Sequence, residues 1–437
     1  MIRFIQILFT GLITSLFVFP FNLPVGVEIN TKMLLAAFGL IIFIMERVMG
    51  KEFRVTNDFL WLSLLAIGLS IWSRVSMGYN HTNDGTYASY FMSLWVWLGG
   101  AYATVWLIRQ VHGKADVEII GNYLIGVCTF QCILAYSMTL FPVLNDFINS
   151  LMGDADAFMG KSESRMHGLG AALDPSGLRF AAVLIIDSAL LLKARKENNG
   201  KKAIQYILAF LIISVIGNMI ARSTTLGIVL SVGFILVSYL AHLDGEINLK
   251  FITVTIILAV AGIYTAARLY RHNAAFQSHL RFAFEGFFSL AEKGRWEVRS
   301  NEILKGMIIW PETLKTWIIG DGYCENPSKD PNFLGIIRGG YYMGTDIGYL
   351  RFIFYFGLPG MIMMMGVFIK VAITCMRHLK GYEWLFLFML LSNLTGWFKV
   401  TSDILMVFAP FLILALQKEE QKDGMFLYDQ LKPDETA

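Results

Sequence analysis

Charge is scarce in this sequence. Asp, Glu, Lys and Arg make up only 16% of its 437 residues, whereas 56% are hydrophobic and the mean hydropathy is +0.57. A soluble globular protein averages roughly 45–50% apolar residues. The composition therefore predicts a polytopic membrane protein.

Other scarcities exclude further classes. The net charge is only +3 and there is no basic tract, so a nucleic-acid partner is excluded. Of the four cysteines only Cys324 lies clearly in a loop, so no disulfide framework is expected. Cys128 and Cys132 are spaced to share a helix face as small apolar residues. No set of His, Cys and carboxylate residues has the spacing of a metal site, so neither a metal nor another cofactor is expected.

Long apolar runs, in contrast, are abundant. A helix needs about 20 apolar residues to cross a bilayer. This rule predicts an all-α transmembrane domain over residues 1–417 with twelve spans, near 3–20, 33–49, 58–74, 88–108, 118–142, 176–193, 203–220, 223–242, 250–267, 347–373, 382–398 and 402–417.

Basic residues mark one side of the predicted bundle. Lys and Arg gather in the connections after even-numbered spans, as at Arg47, Arg109, Lys193, Arg377 and Lys418. Such residues collect on the cytoplasmic side of a membrane, so both termini are expected there. A smaller loop at 143–175 and a large loop at 268–346 then face outward. The polar tail at 418–437 is expected to be a disordered cytoplasmic segment.

The large loop breaks the apolar pattern with arginines and carboxylates. It contains the turn signal Gly320-Asp321-Gly322 and the helix breakers Pro327 and Pro331. A long polar insert between apolar spans is where a membrane protein is expected to carry its chemistry. We therefore expect the spans to hold this loop at one membrane face.

Four outward-facing segments supply the candidate site residues, which are Arg165 and His167; Arg222; Arg295, Arg299 and Glu302; and Asp346 and Tyr349. Arg222 is the most distinctive, because a guanidinium at the edge of an apolar helix pair is costly unless it is paired or functional. The alternative is that Arg222 reaches out to lipid phosphates. His167 is either a secondary candidate or an ordinary loop histidine.

The third segment has helical spacing. One stripe consists of apolar or small residues, namely Trp296, Ser300, Ile303, Met307 and Trp310. The other stripe is charged and consists of Arg295, Arg299 and Glu302. This pattern predicts an amphipathic helix that lies on the membrane surface with a cationic face. Interfacial anchoring alone is the alternative.

Asp346 lies where the apolar pattern resumes after the large loop. Its carboxylate could accept a proton from an attacking sugar hydroxyl. It could instead cap the following helix, where the helix dipole favours an acid. Arginine forks match phosphate oxygens in bidentate geometry, and they would stabilise the charge on a departing lipid pyrophosphate. Arginines and one carboxylate on the outer face thus suggest a reaction with an anionic leaving group.

These segments together resemble the O-antigen polymerase and O-antigen ligase superfamily of bacterial envelope enzymes. The shared pattern is an arginine segment with a following Gly and Pro (165–175), an arginine opening a mid-chain span (Arg222), Arg295-Trp296 with a later Gly320-Asp321-Gly322 turn, and Asp346-Ile347-Gly348-Tyr349-Leu350 before Phe356-Gly357. The resemblance covers roughly Arg165 to Gly360. Two positions depart from it: Ala221 replaces a serine, and Asp346 stands where the ligases have a His-Asn pair.

The resemblance implies a fold similar to glycosyltransferases of the GT-C kind in the bacterial inner membrane. It implies a polymerase of oligosaccharide repeat units carried on undecaprenyl pyrophosphate. The reaction would need no metal and would invert the anomeric carbon, and the active site would lie on the periplasmic side. Implied partners are membrane lipids, a flippase and a chain-length regulator. The product would be an O-antigen of lipopolysaccharide, a capsule or an exopolysaccharide. A ligase that transfers the polymer to an acceptor, and a transporter of lipid-linked sugars, are the alternatives.

Overall fold

The computed structural model describes residues 2–24, 29–50, 55–155, 165–240, 249–331 and 333–430. Within these ranges the chain is helical, and its β structure is limited to an isolated bridge between Asn22 and Asn30. The α-helices described there are α1 (Ile2–Val18), α2 (Thr31–Gly50), α3 (Asn57–Asn80), α4 (Tyr90–His112), α5 (Val117–Leu140), α6 (Pro142–Ser150), α7 (Leu173–Lys196), α8 (Gly200–Ile220), α9 (Thr224–Leu240), α10 (Leu249–His272), α11 (Ala274–Ala283), α12 (Glu285–Lys293), α13 (Arg299–Gly306), α14 (Leu314–Ile318), α15 (Gly348–His378), α16 (Glu383–Gly396) and α17 (Leu405–Gln430).

The apolar helices are those of a membrane protein. Five of the described helices, α3, α4, α5, α8 and α15, are long and apolar enough to cross a bilayer, and α1 and α9 are shorter apolar helices. Each of the twelve apolar segments predicted from the sequence overlaps at least one described helix. The expected all-α fold is confirmed over the described residues, whereas the number of spans stays a prediction.

The helix expected on the membrane surface is shorter than predicted. α13 contains only Arg299–Gly306, and the chain is not helical at Trp296 or Trp310. Gly294, with φ of 68°, ends the preceding helix in the left-handed region. The Ser289 hydroxyl then donates to the Arg295 carbonyl and accepts from the Glu297 amide, which holds this stretch extended. The 3.6-residue spacing did not reveal this local competition with helix formation.

The tail also differs from expectation. Residues 418–430, predicted to be disordered, continue α17, and 431–437 lie outside the described residues. Gln417, Lys418, Glu419 and Glu420 are good helix formers. Glu419 accepts a hydrogen bond from the Asp58 amide, and Glu420 pairs with Arg47. These contacts anchor the start of the tail to the bundle.

The α7 helix lies at the centre of the fold. Its residues from Phe180 to Ile186 are fully buried. A helix that is apolar on all sides must be surrounded by other elements. At one contact a Cβ added to Gly227 of α9 would lie 2.3 Å from the Ala181 Cα, so only glycine permits this approach. α7 therefore fixes the positions of the charged residues at its two ends.

Polar contacts define two ends of the helix bundle. At the first, called the Asp58 end, Asp58 of α3 pairs with Lys370 of α15, and Glu118 of α5 binds Lys193 and Lys202. At the second, called the Asp174 end, α7 begins and the connection between α8 and α9 lies beside it. The connection between α16 and α17, residues 397–404, reaches the Asp174 end as well.

A break in α15 docks the large loop against the bundle. Phe356 and Gly357 leave helical geometry, with Gly357 at φ of 68°, and Pro359 follows. The freed Tyr355 carbonyl accepts hydrogen bonds from the Gly322 amide (3.1 Å) and the Ser76 hydroxyl (2.6 Å). Gly320 and Gly322 both have positive φ, so the predicted turn at Gly320-Asp321-Gly322 is confirmed. This turn ties the loop to α3 and α15.

Candidate functional site

Two arginines distant in the sequence meet over one aromatic ring at the Asp174 end. The Cζ atoms of Arg165 and Arg222 lie 5.2 and 4.1 Å from the ring centre of Phe282, a residue of α11. A guanidinium over a ring face is attracted by its quadrupole. Phe282 thus orients both cations while using none of their hydrogen-bond donors.

Arg222 lies in the short connection between α8 and α9 and keeps part of its donor capacity. Its Nη1 lies 2.6 Å from Glu285 Oε2, an ion-pair contact, and donates to the Ser300 hydroxyl at 3.2 Å. Its Nε has no hydrogen-bond partner among the described residues. Burial lowers the pKa of Arg222, and the charge of Glu285 opposes that shift. The guanidinium remains charged and can accept a further anionic partner.

Asp174 provides the carboxylate of this site. Its Oδ1 lies 2.7 Å from Lys399 Nζ and accepts from the Ser223 hydroxyl at 3.0 Å. Burial acts to raise the pKa of Asp174, but Lys399, Arg165 and the Ser223 hydrogen bond together lower it below its ordinary value. An ionised Asp174 therefore holds Lys399 and Ser223 next to the two arginines.

A second group of charges shares the same two elements. Arg179 follows Asp174 on α7, and Asp403 follows Lys399 in the connection between α16 and α17. Burial and the positive charge of Arg179 lower the pKa of Lys32, whereas Asp403 acts to raise it. Lys32, Arg179 and Asp403 are thus electrostatically coupled, next to the group around Asp174.

We name the first group the Asp174 site. Its members are Arg165, Arg222 and Lys399, the carboxylates Asp174 and Glu285, and the ring of Phe282. Three cations face two carboxylates, which leaves an excess of one positive charge in a partly buried place. Such a site favours an anion, and guanidinium donors match the oxygens of a phosphate group.

The other predicted arginines lie apart from this site. Arg295 is 72% exposed and pairs with Glu297 at 2.7 Å. Arg299 is exposed, although the adjacent Ser300 contacts Arg222. Glu302 is exposed and pairs with Lys305 at 2.8 Å. The structure therefore joins Arg165 to Arg222 but does not bring Arg295 to them.

His167 and Tyr349 have local partners. The His167 Nε2 lies 3.0 Å from Asn149 Oδ1, and burial lowers the pKa of this imidazole. The Tyr349 hydroxyl donates to the Leu394 carbonyl at 2.7 Å, and its ring packs against Phe398. These contacts give both residues a role in joining elements.

Asp346 is half-buried and lies two residues before α15, which begins at Gly348. Its neighbour Ile347 packs in a small apolar cluster with Leu304 and Met307. Leu304 belongs to α13, the helix whose Ser300 contacts Arg222. α13 therefore links the chain around Asp346 to the Asp174 site.

Arg351 is buried to 4% exposure and its terminal guanidinium nitrogens have several partners. Its guanidinium donates to Thr401 Oγ1 at 3.0 Å and to the Cys324 carbonyl at 3.2 Å, and Glu325 lies at 3.1 Å. The Tyr341 ring packs against it, 3.4 Å from Cζ. These contacts fasten the large loop to α15 and to the connection between α16 and α17.

Sequence reasoning missed several members of these two groups: Lys32, Arg179, Phe282, Glu285, Lys399 and Asp403. A signal was present for Arg179, because a charge inside a predicted span is rare unless it is paired or functional. Phe282 and Glu285 have no such signal, since an aromatic and an acid are ordinary in a polar loop. Comparison with known proteins supplies no guide, as no family model, no curated protein and no solved structure matches this chain.

Proposed function

We propose that this protein is a membrane glycosyltransferase that polymerises oligosaccharide repeat units carried on a polyprenyl pyrophosphate. The observation that carries the proposal is the convergence of Arg165, Arg222 and Lys399 around Asp174 and Phe282. A site with excess positive charge at one end of an apolar helix bundle suits a lipid whose headgroup is a pyrophosphate.

In the proposed reaction the growing chain leaves its carrier and joins the next lipid-linked unit. The C–O bond between the anomeric carbon and the pyrophosphate breaks, and a sugar hydroxyl of the second unit forms the new glycosidic bond. Negative charge develops on the departing pyrophosphate, where Arg165 and Arg222 stabilise it. These cations supply the charge neutralisation that the reaction requires.

Asp346 remains our choice of general base, because its neighbour Ile347 packs against α13, and Ser300 of α13 contacts Arg222. It would take the proton of the attacking hydroxyl. Asp174 is less suited to that task, since Lys399 and Ser223 already occupy its Oδ1 and its pKa is lowered. Arg295 and Arg299 are exposed on the loop and would meet the substrate as it arrives.

The proposal includes an orientation in the bacterial inner membrane. We place twelve spans across the bilayer, with the basic Asp58 end and both termini in the cytoplasm. The Asp174 end then faces the periplasm, where finished lipid-linked units are available. The orientation rests on the basic connections between spans, because Lys and Arg are retained on the cytoplasmic side.

Reconstitution separates this proposal from its alternatives. Purified full-length protein in liposomes is supplied with undecaprenyl pyrophosphate-linked repeat units, and the products are resolved by gel electrophoresis. We expect a ladder of longer glycans and release of undecaprenyl pyrophosphate. Asp346→Asn should lower the rate by about 10²–10⁴-fold, the usual contribution of a general base.

The alternatives give different products. A ligase yields new glycan only when an acceptor such as lipid A core is added. A transporter of lipid-linked sugars moves the substrate between leaflets without forming a glycosidic bond. If no new glycosidic bond forms with either the lipid-linked repeat unit or lipid A core as acceptor, the proposal of a glycosyltransferase is overturned.

A further inference from the structure

The Asp58 end contains a second constellation that the proposed reaction does not use. Asp58 of α3, His378 of α15 and Glu419 of α17 each offer one ligand atom, and these atoms lie within 4.8 Å of one another. The three residues are distant in sequence, with separations of 320 between Asp58 and His378 and 361 between Asp58 and Glu419. Spacing along the chain therefore could not indicate this group.

Burial makes one of these carboxylates notable. Glu419 is 7% exposed and Asp58 is 3% exposed. Glu419 Oε1 accepts a hydrogen bond from the Asp58 amide at 3.3 Å, but Oε2 has no partner among the described residues. A buried carboxylate oxygen without a hydrogen-bond donor is costly. Glu419 Oε2 therefore lacks the hydrogen-bond donor or cation that would offset its burial.

The distance between Asp58 and His378 fits two ligands of one metal ion. His378 Nε2 lies 3.3 Å from Asp58 Oδ2. Zinc binds nitrogen and oxygen ligands at roughly 2.0–2.2 Å in tetrahedral geometry, which separates neighbouring ligands by about 3.3–3.5 Å. The two atoms therefore need little movement to share an ion.

We propose that Asp58, His378 and Glu419 form a divalent-cation site, best suited to zinc, that joins α3, α15 and α17. An imidazole with two carboxylates is a ligand set that zinc accepts, with a fourth position left for water. Binding would give Glu419 Oε2 the partner it lacks and would stabilise the contact between three helices.

A metal ion must compete with two cations that already lie beside Asp58. Lys370 Nζ and Arg377 Nη1 approach the other oxygen, Oδ1, at 2.6 and 3.1 Å. Arg377 is 57% exposed, so its side chain can turn into solvent when an ion enters. Lys370 can keep its bond to Oδ1 while Oδ2 faces the metal.

Zinc binding to the purified full-length protein tests the proposal. The protein is stripped with a chelator, dialysed against buffer with micromolar Zn²⁺, and its metal content is measured by mass spectrometry. We expect about one zinc ion per chain, and a higher thermal midpoint with zinc because the ion binds only the folded protein. Glu419→Gln and His378→Asn should each weaken zinc binding at least tenfold.

Glu420→Gln is the matched control. Glu420 neighbours Glu419 but pairs with Arg47, so this variant should bind zinc like the parent protein. Size-exclusion profiles identify any variant that fails to fold, and the parent protein with its control still decides the question. Absence of stoichiometric zinc from the parent would overturn the proposal and leave an ion-pair network. Equal zinc affinity in the parent and both ligand variants would also overturn it.

Discussion

Replacing Arg222 with lysine tests whether this residue grips a pyrophosphate or only carries a charge. Lysine keeps the positive charge and can still reach Glu285, which lies 2.6 Å from the guanidinium. It loses the planar fork that bonds two phosphate oxygens at once. The change therefore removes hydrogen-bond geometry while conserving the charge of the Asp174 site.

The structure sets the size of the expected effect. The polar contacts of Arg222 to Glu285 and Ser300 both involve Nη1, and its side chain is half-buried, so its guanidinium has further donors for a phosphate. A hydrogen bond to a charged group contributes about 1.5–3 kcal/mol. Loss of one such bond in the transition state corresponds to a roughly 10–150-fold lower rate. The attraction to the Phe282 ring, 4.1 Å away, is largely retained by an ammonium group.

The assay is the rate of glycan elongation in liposomes, with equal amounts of folded protein judged by size-exclusion profile and thermal midpoint. Arg338→Lys is the control, because the exposed Arg338 guanidinium makes just one long contact among the described residues, at 3.4 Å to the Met343 carbonyl. We expect parent-like elongation from the control. Elongation by Arg222→Lys within about twofold of the parent would refute the bidentate grip and favour a residue that only contacts lipid phosphates.

Three further predictions concern stability and orientation. The folded pKa of Asp174 lies below its ordinary value of 3.8, so its charge stabilises the fold above that pH, and this contribution is lost as pH falls through the lower folded value. The thermal midpoints of the parent and Asp174→Asn should therefore differ at pH 7 and converge in acid. A constant difference would contradict the ion pair. Arg351→Lys should lower the free energy of unfolding by about 1.5–3 kcal/mol, because it loses a charged hydrogen bond such as that to Thr401. Thermal denaturation measures this loss, and an unchanged midpoint would show that these contacts contribute nothing. A cysteine at Ser328 should react with an impermeant reagent in intact cells and one at Asn198 should not, whereas labelling of Asn198 would invert the proposed orientation.

The sequence by itself determined the helical, membrane-type character of the protein. Apolar runs of about 20 residues predict helices directly, because the backbone in lipid must satisfy its own hydrogen bonds. The glycine turn at 320–322 was predictable as well, since positive φ is a local property of glycine. The sequence also singled out Arg165 and Arg222, as polar residues next to apolar spans.

Tertiary structure alone decided which of these residues meet. Phe282 and Glu285 reach Arg222 only because α11 and α12 fold back onto the connection between α8 and α9, and Lys399 reaches Asp174 from 225 residues away. The same holds for Asp58, His378 and Glu419, which three helices bring together at the opposite end. Arg295 was a predicted site residue like Arg222, yet the turn at Gly294 leaves its side chain exposed. Pairing across such distances depends on how helices pack, and the local pattern of a sequence does not contain that information.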